Sequence, residues 1–354
     1  MADTYQAEQK KKLTLLLREK LKELPPFCAV FFRAIENVTS AQTRVGYACD
    51  LRIFFRYLAE ECPDFGRKQA RDFELPDLVK VTADDLEGFM EYLTYYVVNR
   101  DEETFSEYQN GEKGKSRKLS AVRTMFTYFY KRRKIAANPS ELIDMPKIHE
   151  KNIVTLEVDE IARLLDEVES GEKLTPRQQK FHAYTKSRDV ALISLLLGTG
   201  MRVSECVGVD TDHLDFGVNG VKVTRKGGNV MVLYFNGEVE DALKIYLLER
   251  EKFAAGVKEG DEKALFLSIQ HKRITVRAVQ LLVKKYARLI TTLKTITPHK
   301  LRSTFGTQLY METQDIYLVA EALGHANVDT TRKHYAKMTD EPRRRAARQV
   351  HLRK

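Results

Sequence analysis

The chain has 354 residues, of which 59 are Lys or Arg and 50 are Asp or Glu, so its formal net charge is +9 and its pI is about 9.1. Hydrophobic residues make up 43% and charged residues 31%, which excludes a collagen-like, low-complexity or wholly disordered chain. No run of about 18 apolar residues predicts a membrane span, and the N-terminal residues lack a signal peptide's apolar stretch. The four cysteines form no disulfide framework and no metal-ligand spacing, so we expect reduced thiols in a cytosolic protein.

The first third of the chain predicts helices with basic faces. The first of them ends at Pro25 and Pro26, because proline cannot donate to the helical hydrogen-bond ladder. The polar, acidic stretch over residues 101–114 predicts a loop. This part is therefore expected to be a small all-helical domain whose positive faces are either solvated surface or DNA contacts. The predicted helices cover residues 6–24, 40–60 and 116–134, and another begins after Thr82.

A different pattern follows residues 138–155, which contain two prolines, have no helical period and predict a domain boundary. Helices are predicted over residues 157–168 and 187–197, and again from Gly237 onwards. Between them, residues 220–235 contain two alternating apolar runs on either side of a Gly-Gly pair, which is typical of a β-hairpin. The expected fold class is mainly α, with a helical first domain and an α+β second domain that holds a small β-sheet.

Four short segments of the second half collect residues that bind anions or transfer protons. The first, GTGMRVSE, contains a G-x-G, but it follows a helix and lacks a third glycine, so a dinucleotide fold is not expected. Taken singly, each segment also fits an ordinary structural role, such as an exposed turn lysine or a helix-end ion pair. The residues concerned are Arg202 and Glu205, Arg225 and Lys226, His299 and Arg302, and His325 and Tyr335.

Taken together and in this order, the motifs R-x-S-E, the hairpin lysine, H-K-L-R-S-T-F, L-G-H and the final tyrosine resemble the tyrosine recombinases, or phage-type integrases. The resemblance covers the whole second domain. The helix SRKLSAVRTMFTYF is similar to part of that family's helical core-binding (SAM-like) domain, so the resemblance implies two domains that form a C-shaped clamp on DNA. Length and layout most resemble the bacterial Xer site-specific recombinases, especially the longer type that acts as a single recombinase in Gram-positive bacteria.

The resemblance also implies a division of the chain into five parts. A helical extension precedes the core-binding domain, a linker joins that domain to the catalytic domain, and a basic tail is expected to dock on a neighbouring subunit. In that order the parts are residues 1–38, 39–137, 138–155, 156–335 and 336–354.

The implied reaction is the cleavage and rejoining of DNA through a 3′-phosphotyrosyl intermediate. Arg202 and Arg302 would bind the non-bridging phosphate oxygens, because planar guanidinium groups complement them bidentately. Tyr335 would be the nucleophile, and Lys226 would protonate the departing 5′-oxygen as general acid. The tyrosyl ester stores about the energy of the bond it replaces, so no metal, ATP or other cofactor is expected, and no motif for one is found in the sequence.

The remaining roles follow from the same resemblance. His299 would accept the tyrosine proton or hold the phosphate, His325 would bond a phosphate oxygen, and Glu205 would orient its neighbours. Tyr335 follows His325 by ten residues, whereas many family members have a spacing of nine; ten also occurs in the family. His334, directly before the tyrosine, is interpreted as structural.

The expected partners are a double-stranded recombination site and three further copies of the chain, which form a homotetramer on two duplexes and pass through a Holliday junction. An activating protein partner and a location at the bacterial nucleoid in the cytoplasm are also expected, with chromosome dimer resolution as the biological role. Three alternatives stay open: a mobile-element integrase, a type IB topoisomerase and a DNA-binding protein without activity. The basic residues expected to contact DNA are Arg44, Arg52, Lys115, Arg117, Lys118, Arg123 and Arg225.

Overall fold

The computed structural model describes residues 4–66, 69–99, 105–149, 153–225, 228–252, 256–325 and 327–335. The chain forms two compact units, Met1–Lys151 and Asn152–Lys354. Both are mainly helical and each contains one small antiparallel sheet, so the predicted mainly α fold class is confirmed. Within the described ranges, the structure contains no helix with the length and apolar character needed to cross a membrane.

Two helices of the first unit begin at recognisable capping residues. The Ser40 hydroxyl accepts a hydrogen bond from the Thr43 amide, and Thr82 and Asp85 form a reciprocal capping box, which supplies partners for amides at the helix starts. The helices are α1 (Thr4–Leu21), α2 (Cys28–Ala34), α3 (Ala41–Glu61), α4 (Asp77–Lys80), α5 (Ala83–Tyr92) and α6 (Glu112–Lys131). The sequence patterns did not predict the short α2 and α4.

Aromatic side chains fill the core of the first unit. Phe54 on α3 is fully buried, and its ring meets Phe89 of α5 and Phe126 of α6 edge to face, at centroid distances of 5.2 and 6.3 Å. Edge-to-face contact suits the quadrupoles of aromatic rings, and burying each such side chain is worth about 1.5–3 kcal/mol. The helix α3 therefore lies at the centre of this unit.

A β-hairpin in the first unit makes the prediction of an all-helical domain wrong. Strand β1 (Tyr95–Asn99) pairs antiparallel with β2 (Phe105–Gln109), and α6 begins inside the stretch expected to be a loop. The residues of β1, YYVVN, are aromatic and β-branched, which fits a pleated strand better than a helix. The acidic residues that suggested a loop begin only after β1. A stack of three tyrosine rings joins the hairpin to α5, with Tyr96 between Tyr92 and Tyr108 at 5.1 and 5.2 Å.

The second unit contains helices around a three-stranded sheet of order β3-β4-β5. The predicted hairpin is confirmed, and Thr224 pairs with Val230 at its loop end. The helices are α7 (Val158–Ser170), α8 (Pro176–Thr199), α9 (Val203–Val207), α10 (Gly237–Lys252), α11 (Val276–Ile290), α12 (Pro298–Thr313), α13 (Ile316–Leu323) and α14 (Val328–Tyr335). The strands are β3 (Leu214–Asp215), β4 (Gly220–Thr224) and β5 (Val230–Tyr234).

Helix α8 is longer than the sequence pattern predicted. It begins at Pro176, with Thr175 and Gln178 forming a capping box, instead of at residue 187. Its first half has few apolar residues and therefore shows no helical period, although the T-P-x-Q start was a readable signal. At its other end, Gly200 adopts a left-handed conformation, with φ of 60°, and ends the helix.

Candidate active site

Arg202 lies at the start of α9 and is held by a buried carboxylate. Its Nη1 donates to Glu205 Oε1 at 2.8 Å, and its backbone amide donates to Glu205 Oε2, also at 2.8 Å. The Glu205 side chain is almost completely buried, whereas 37% of the Arg202 side chain is exposed. The carboxylate therefore orients a guanidinium that still reaches solvent.

Arg302, on α12, is buried and donates to the ends of two other helices. Its Nη1 bonds the carbonyl of Gly200 at 2.7 Å, directly after α8, and its Nη2 bonds the carbonyl of Leu323, the last residue of α13. The carboxyl end of a helix carries a partial negative charge, so both contacts favour a cation. Because carbonyl groups have no net charge, these two bonds do not cancel the charge of the guanidinium.

Arg225 follows β4 directly and lies against the same end of α13. Its Nη2 donates to the carbonyl of Ala322 at 2.8 Å, and only 8% of the residue is exposed. Burial lowers the pKa of Arg225, the nearby Glu205 carboxylate raises it, and the Arg202 cation lowers it. Arg225 was predicted to contact DNA, and the structure places it near Arg202 and Glu205.

The two histidines occupy different positions around this cluster. His299 lies exposed in the first turn of α12, one turn before Arg302. His325 is half-buried, and its Nδ1 lies 2.7 Å from the hydroxyl of the fully buried Thr331 on α14. The sequence analysis did not identify Thr331; its position six residues after L-G-H was the only signal. The bond connects His325 to the helix that ends at Tyr335.

Two of the predicted catalytic groups lie outside the described residues: Lys226 and the side chain of Tyr335. The basic tail, residues 336–354, also lies outside them. The backbone of Tyr335 is the last residue of α14. Arg202, Glu205, Arg225 and the contacts of Arg302 and His325 are thus the observed part of the predicted site.

Comparison with known proteins places the chain in a family. The model of the phage integrase family matches residues 155–341. The tyrosine recombinase XerC of Caldanaerobacter subterraneus subsp. tengcongensis is 32% identical over 333 residues, which cover 91% of this chain and 85% of that protein. The XerC of Chlorobaculum tepidum is 30% identical over 311 residues, covering 85% and 86% of the two chains.

The chain belongs to the phage integrase family, the tyrosine recombinases. The predicted enzyme class, a site-specific DNA recombinase of the tyrosine type, is confirmed, and the relatives bear out its likeness to the Xer proteins.

Solved structures of tyrosine recombinases share the fold. The XerH recombinase bound to its difH substrate aligns with a TM-score of 0.62 at 21% identity, over 89% of this chain and 81% of that one. A lambda integrase tetramer bound to a Holliday junction aligns with a TM-score of 0.60 at 12% identity, over 87% and 76%. At these identities the likeness concerns the fold.

The predicted DNA-contacting residues of the first unit are engaged in contacts within that unit. Arg44 is buried and paired with Glu36 at 2.8 Å, and Lys118 is buried with its Nζ 2.6 Å from Asn110 Oδ1, so neither presents a free charge to a phosphate. The side chain of Arg117 is 52% exposed although it is paired with Asp50. The other contacts are Arg52 with Glu23, Lys115 with Thr94 and Arg123 with the carbonyl of Ser140.

One group in the described part of this recombinase has the spacing of a metal site. Ligand atoms of Asp210, Asp212 and His213 lie within 4.8 Å of one another. Each already has a protein partner: Asp210 accepts from Arg273, Asp212 is paired with Lys263 at 2.8 Å, and His213 Nδ1 accepts from the Asp210 amide at 3.1 Å. These contacts are those of a structural cluster.

Proposed function

We propose that Arg202 and Arg302 bind the scissile phosphate of a DNA recombination site and that Tyr335 attacks it. The observation that carries this proposal is the cluster of cations around the buried Glu205 and the carboxyl end of α13. A phosphodiester concentrates negative charge on its non-bridging oxygens during attack, and fixed guanidinium groups stabilise that charge without reorganising. Each such donor typically contributes about 10²–10³-fold in rate.

The proposed step conserves atoms and protons. The Tyr335 oxygen forms a bond to phosphorus, the bond from phosphorus to the 5′-oxygen breaks, and a 3′-phosphotyrosyl ester results. The phenol proton passes to His299, and Lys226 gives a proton to the departing 5′-oxygen. In rejoining, a 5′-hydroxyl of the other strand returns its proton to Lys226, attacks the ester and releases the tyrosine, which regains the proton from His299.

His325 and Glu205 have supporting roles in this scheme. Thr331 orients the His325 ring through Nδ1, and we assign the ring a bond to a phosphate oxygen. Glu205 holds Arg202 at the start of α9. The guanidinium groups supply the charge stabilisation that a metal ion supplies in other phosphoryl-transfer enzymes, and the ester conserves the bond energy, so neither a metal nor a nucleotide has a role.

The assembly that we propose is four copies on two duplexes, with both units of each copy on the DNA and the basic tail on a neighbouring copy. The titles of the structural relatives describe XerH on difH DNA and a lambda integrase tetramer on a Holliday junction, and the curated relatives are named XerC. Together with the sequence features, the XerC names of the curated relatives favour chromosome dimer resolution at the bacterial nucleoid over mobile-element integration. Neutralising about eight phosphates would give a slope near −7 for log K against log salt.

The experiment that tests the nucleophile uses a nicked substrate that traps the covalent intermediate. The wild-type protein should form a protein–DNA adduct on a recombination site, and Tyr335→Phe should form none because it lacks the attacking oxygen. Tyr317→Phe is the matched control, since Tyr317 is an exposed tyrosine on α13, and it should form the adduct at the wild-type rate.

Two results would contradict the proposal. An adduct that persists in Tyr335→Phe would assign the nucleophile to another residue. Relaxation of a supercoiled plasmid that carries no recombination site would instead indicate a topoisomerase.

A further inference from the structure

A buried side chain attaches the connection between β4 and β5 to α13. Arg225 is the first residue after β4, and its guanidinium crosses to the carbonyl of Ala322 at 2.8 Å. Its backbone also closes the connection, because its amide donates to the Asn229 carbonyl at 2.7 Å and its carbonyl accepts from the Gly228 amide at 3.0 Å. One residue therefore fixes both ends of the connection and joins it to a different part of the fold.

The end of α13 is shaped to receive that guanidinium. Gly324 has a φ of 60°, and a Cβ added there would lie 0.9 Å from Nη1 of Arg225, so only glycine leaves room for the contact. The next carbonyl along the helix, that of Leu323, accepts from Arg302. Arg225 and Arg302, which come from different elements, thus donate to adjacent carbonyls at the end of α13. His325 lies two residues beyond that end.

We propose that Arg225 is a positioning residue of the cleavage site, which joins the hairpin to the carboxyl end of α13. This inference rests on the proposed function, because the residue after Arg225 in the chain is Lys226, the proposed general acid. The contact of Arg225 with Ala322 joins β4 to the end of α13, where the adjacent carbonyl of Leu323 accepts from the phosphate ligand Arg302. Without the contact, protonation of the leaving group becomes slow.

The competing role for Arg225 is direct contact with the phosphate. Its Nε is buried and has no hydrogen-bond partner among the residues that the structure describes, so a phosphate oxygen is a possible acceptor for that group. Against this role, protein atoms already cover the guanidinium and one of its nitrogens is bonded to Ala322. The two roles affect different parts of the reaction and are therefore separable by experiment.

The decisive measurement is the single-turnover rate of adduct formation on two substrates. One is ordinary DNA, and the other carries sulfur in place of the bridging 5′-oxygen, which leaves as a thiolate and needs no proton. On ordinary DNA, Arg225→Ala should be slower by about 100-fold, which is the usual size of a general-acid contribution. On the sulfur substrate the deficit should fall to about threefold, and Lys226→Ala should show the same rescue.

Three further variants provide the controls. Arg302→Ala should stay slow on both substrates, because it removes phosphate stabilisation. Lys222→Ala removes an exposed cation from the same strand and should retain the wild-type rate on both. Arg225→Lys keeps the charge but replaces the guanidinium group with an ammonium group. Its rate on ordinary DNA should therefore lie between the rates of the wild type and Arg225→Ala.

The outcomes distinguish this inference from the function on which it rests. Rescue of Lys226→Ala without rescue of Arg225→Ala would overturn the positioning role and support direct phosphate contact. Failure of both rescues would overturn the assignment of Lys226 as general acid, and the positioning role would then be judged by hydrogen exchange. Backbone amides of residues 228–229 and 322–325 should exchange faster in Arg225→Ala than in Lys222→Ala, and equal exchange would overturn it.

Discussion

Arg302 in the second unit is held in a different way from Arg44 and Arg117 in the first. Side-chain carboxylates hold these two cations of the first unit: Arg44 is paired with Glu36, and Arg117 with Asp50. In the second unit, Arg302 donates to the backbone carbonyls at the ends of α8 and α13. Opposite charges cancel in the first arrangement, whereas the two carbonyl groups that Arg302 bonds carry only the partial charge of a helix end.

This difference shows how a chain with many basic residues concentrates positive charge at the cation cluster of the second unit. For Arg44 and Arg117, binding a phosphate would mean exchanging a carboxylate partner for it, so the net gain in binding is small. A cation held by helix carbonyls is oriented in advance and keeps its full charge, which is what transition-state stabilisation requires. We therefore expect substitutions in the second unit to slow the reaction and substitutions in the first to alter binding or stability.

The largest expected effect is that of Arg302→Ala, which tests the second half of this comparison. Adduct formation on a nicked site should slow by about 10³-fold, because a preorganised charge opposite the phosphate is lost. DNA affinity, measured by mobility shift, should change by less than about threefold, since most of the affinity comes from many other phosphate contacts.

Arg302→Lys is the matched control, because it keeps the charge but loses the two-pronged geometry that reaches both helix ends. It should recover only a small part of the rate. An alanine variant that cleaves as fast as the wild type would contradict the catalytic role of Arg302. An alanine variant that loses DNA binding as much as cleavage would show that Arg302 is an anchoring residue.

The next effect concerns Asp50, the carboxylate that holds Arg117 in the first unit. Burial raises the pKa of Asp50 from 3.8 to about 6, and Arg117 and Lys118 only partly oppose that rise. The folded state therefore binds more protons than the unfolded state between these two values, so stability falls as the pH rises through this window and levels off above it.

Asp50→Asn should remove this dependence. Relative to the variant, the wild-type protein should gain about 1 kcal/mol of unfolding free energy on acidification from about pH 7 to about pH 5. Denaturant unfolding of both proteins at several pH values measures the difference. If the unfolding free energies of the two proteins changed in parallel with pH, Asp50 would not be the titrating group.

The smallest effect compares two neighbours on α6. Arg117 is half-exposed, so Arg117→Ala should make the salt dependence of DNA binding shallower by about 0.9 in the log–log slope. Lys118 is buried against Asn110, so Lys118→Ala should leave the slope unchanged and cost about 1 kcal/mol of stability from the lost hydrogen bond. Fluorescence anisotropy with labelled DNA between about 50 and 200 mM salt separates the two.

Much of the fold was predictable where a pattern had a physical cause that is local. The alternating residues around Gly227-Gly228 predicted the β4–β5 hairpin, and Thr82 with Asp85 marked the start of α5. The β1–β2 hairpin was missed because acidic residues after Asn99 outweighed a short aromatic run. The first half of α8 was missed because it lacks an apolar period.

The candidate site was predictable as a set of residue types and unpredictable as a set of contacts. Motif spacing singled out Arg202 with Glu205, and the structure pairs them. No spacing rule indicates that Arg302 bonds the carbonyl of Gly200, because the two residues are 102 positions apart in the chain. Thr331 lies only six positions after His325, but no residue pattern indicated that its hydroxyl would contact the ring. Nothing in the sequence indicated that Arg44 is buried and Arg117 half-exposed, since both are arginines on amphipathic helices.

The close fit of Arg225 over Gly324 has a consequence for how this branch of recombinases diverges. A side chain at position 324 and a guanidinium at position 225 would occupy the same volume, so the two positions must change together. Relatives with a residue other than glycine at position 324 are therefore expected to lack arginine at position 225.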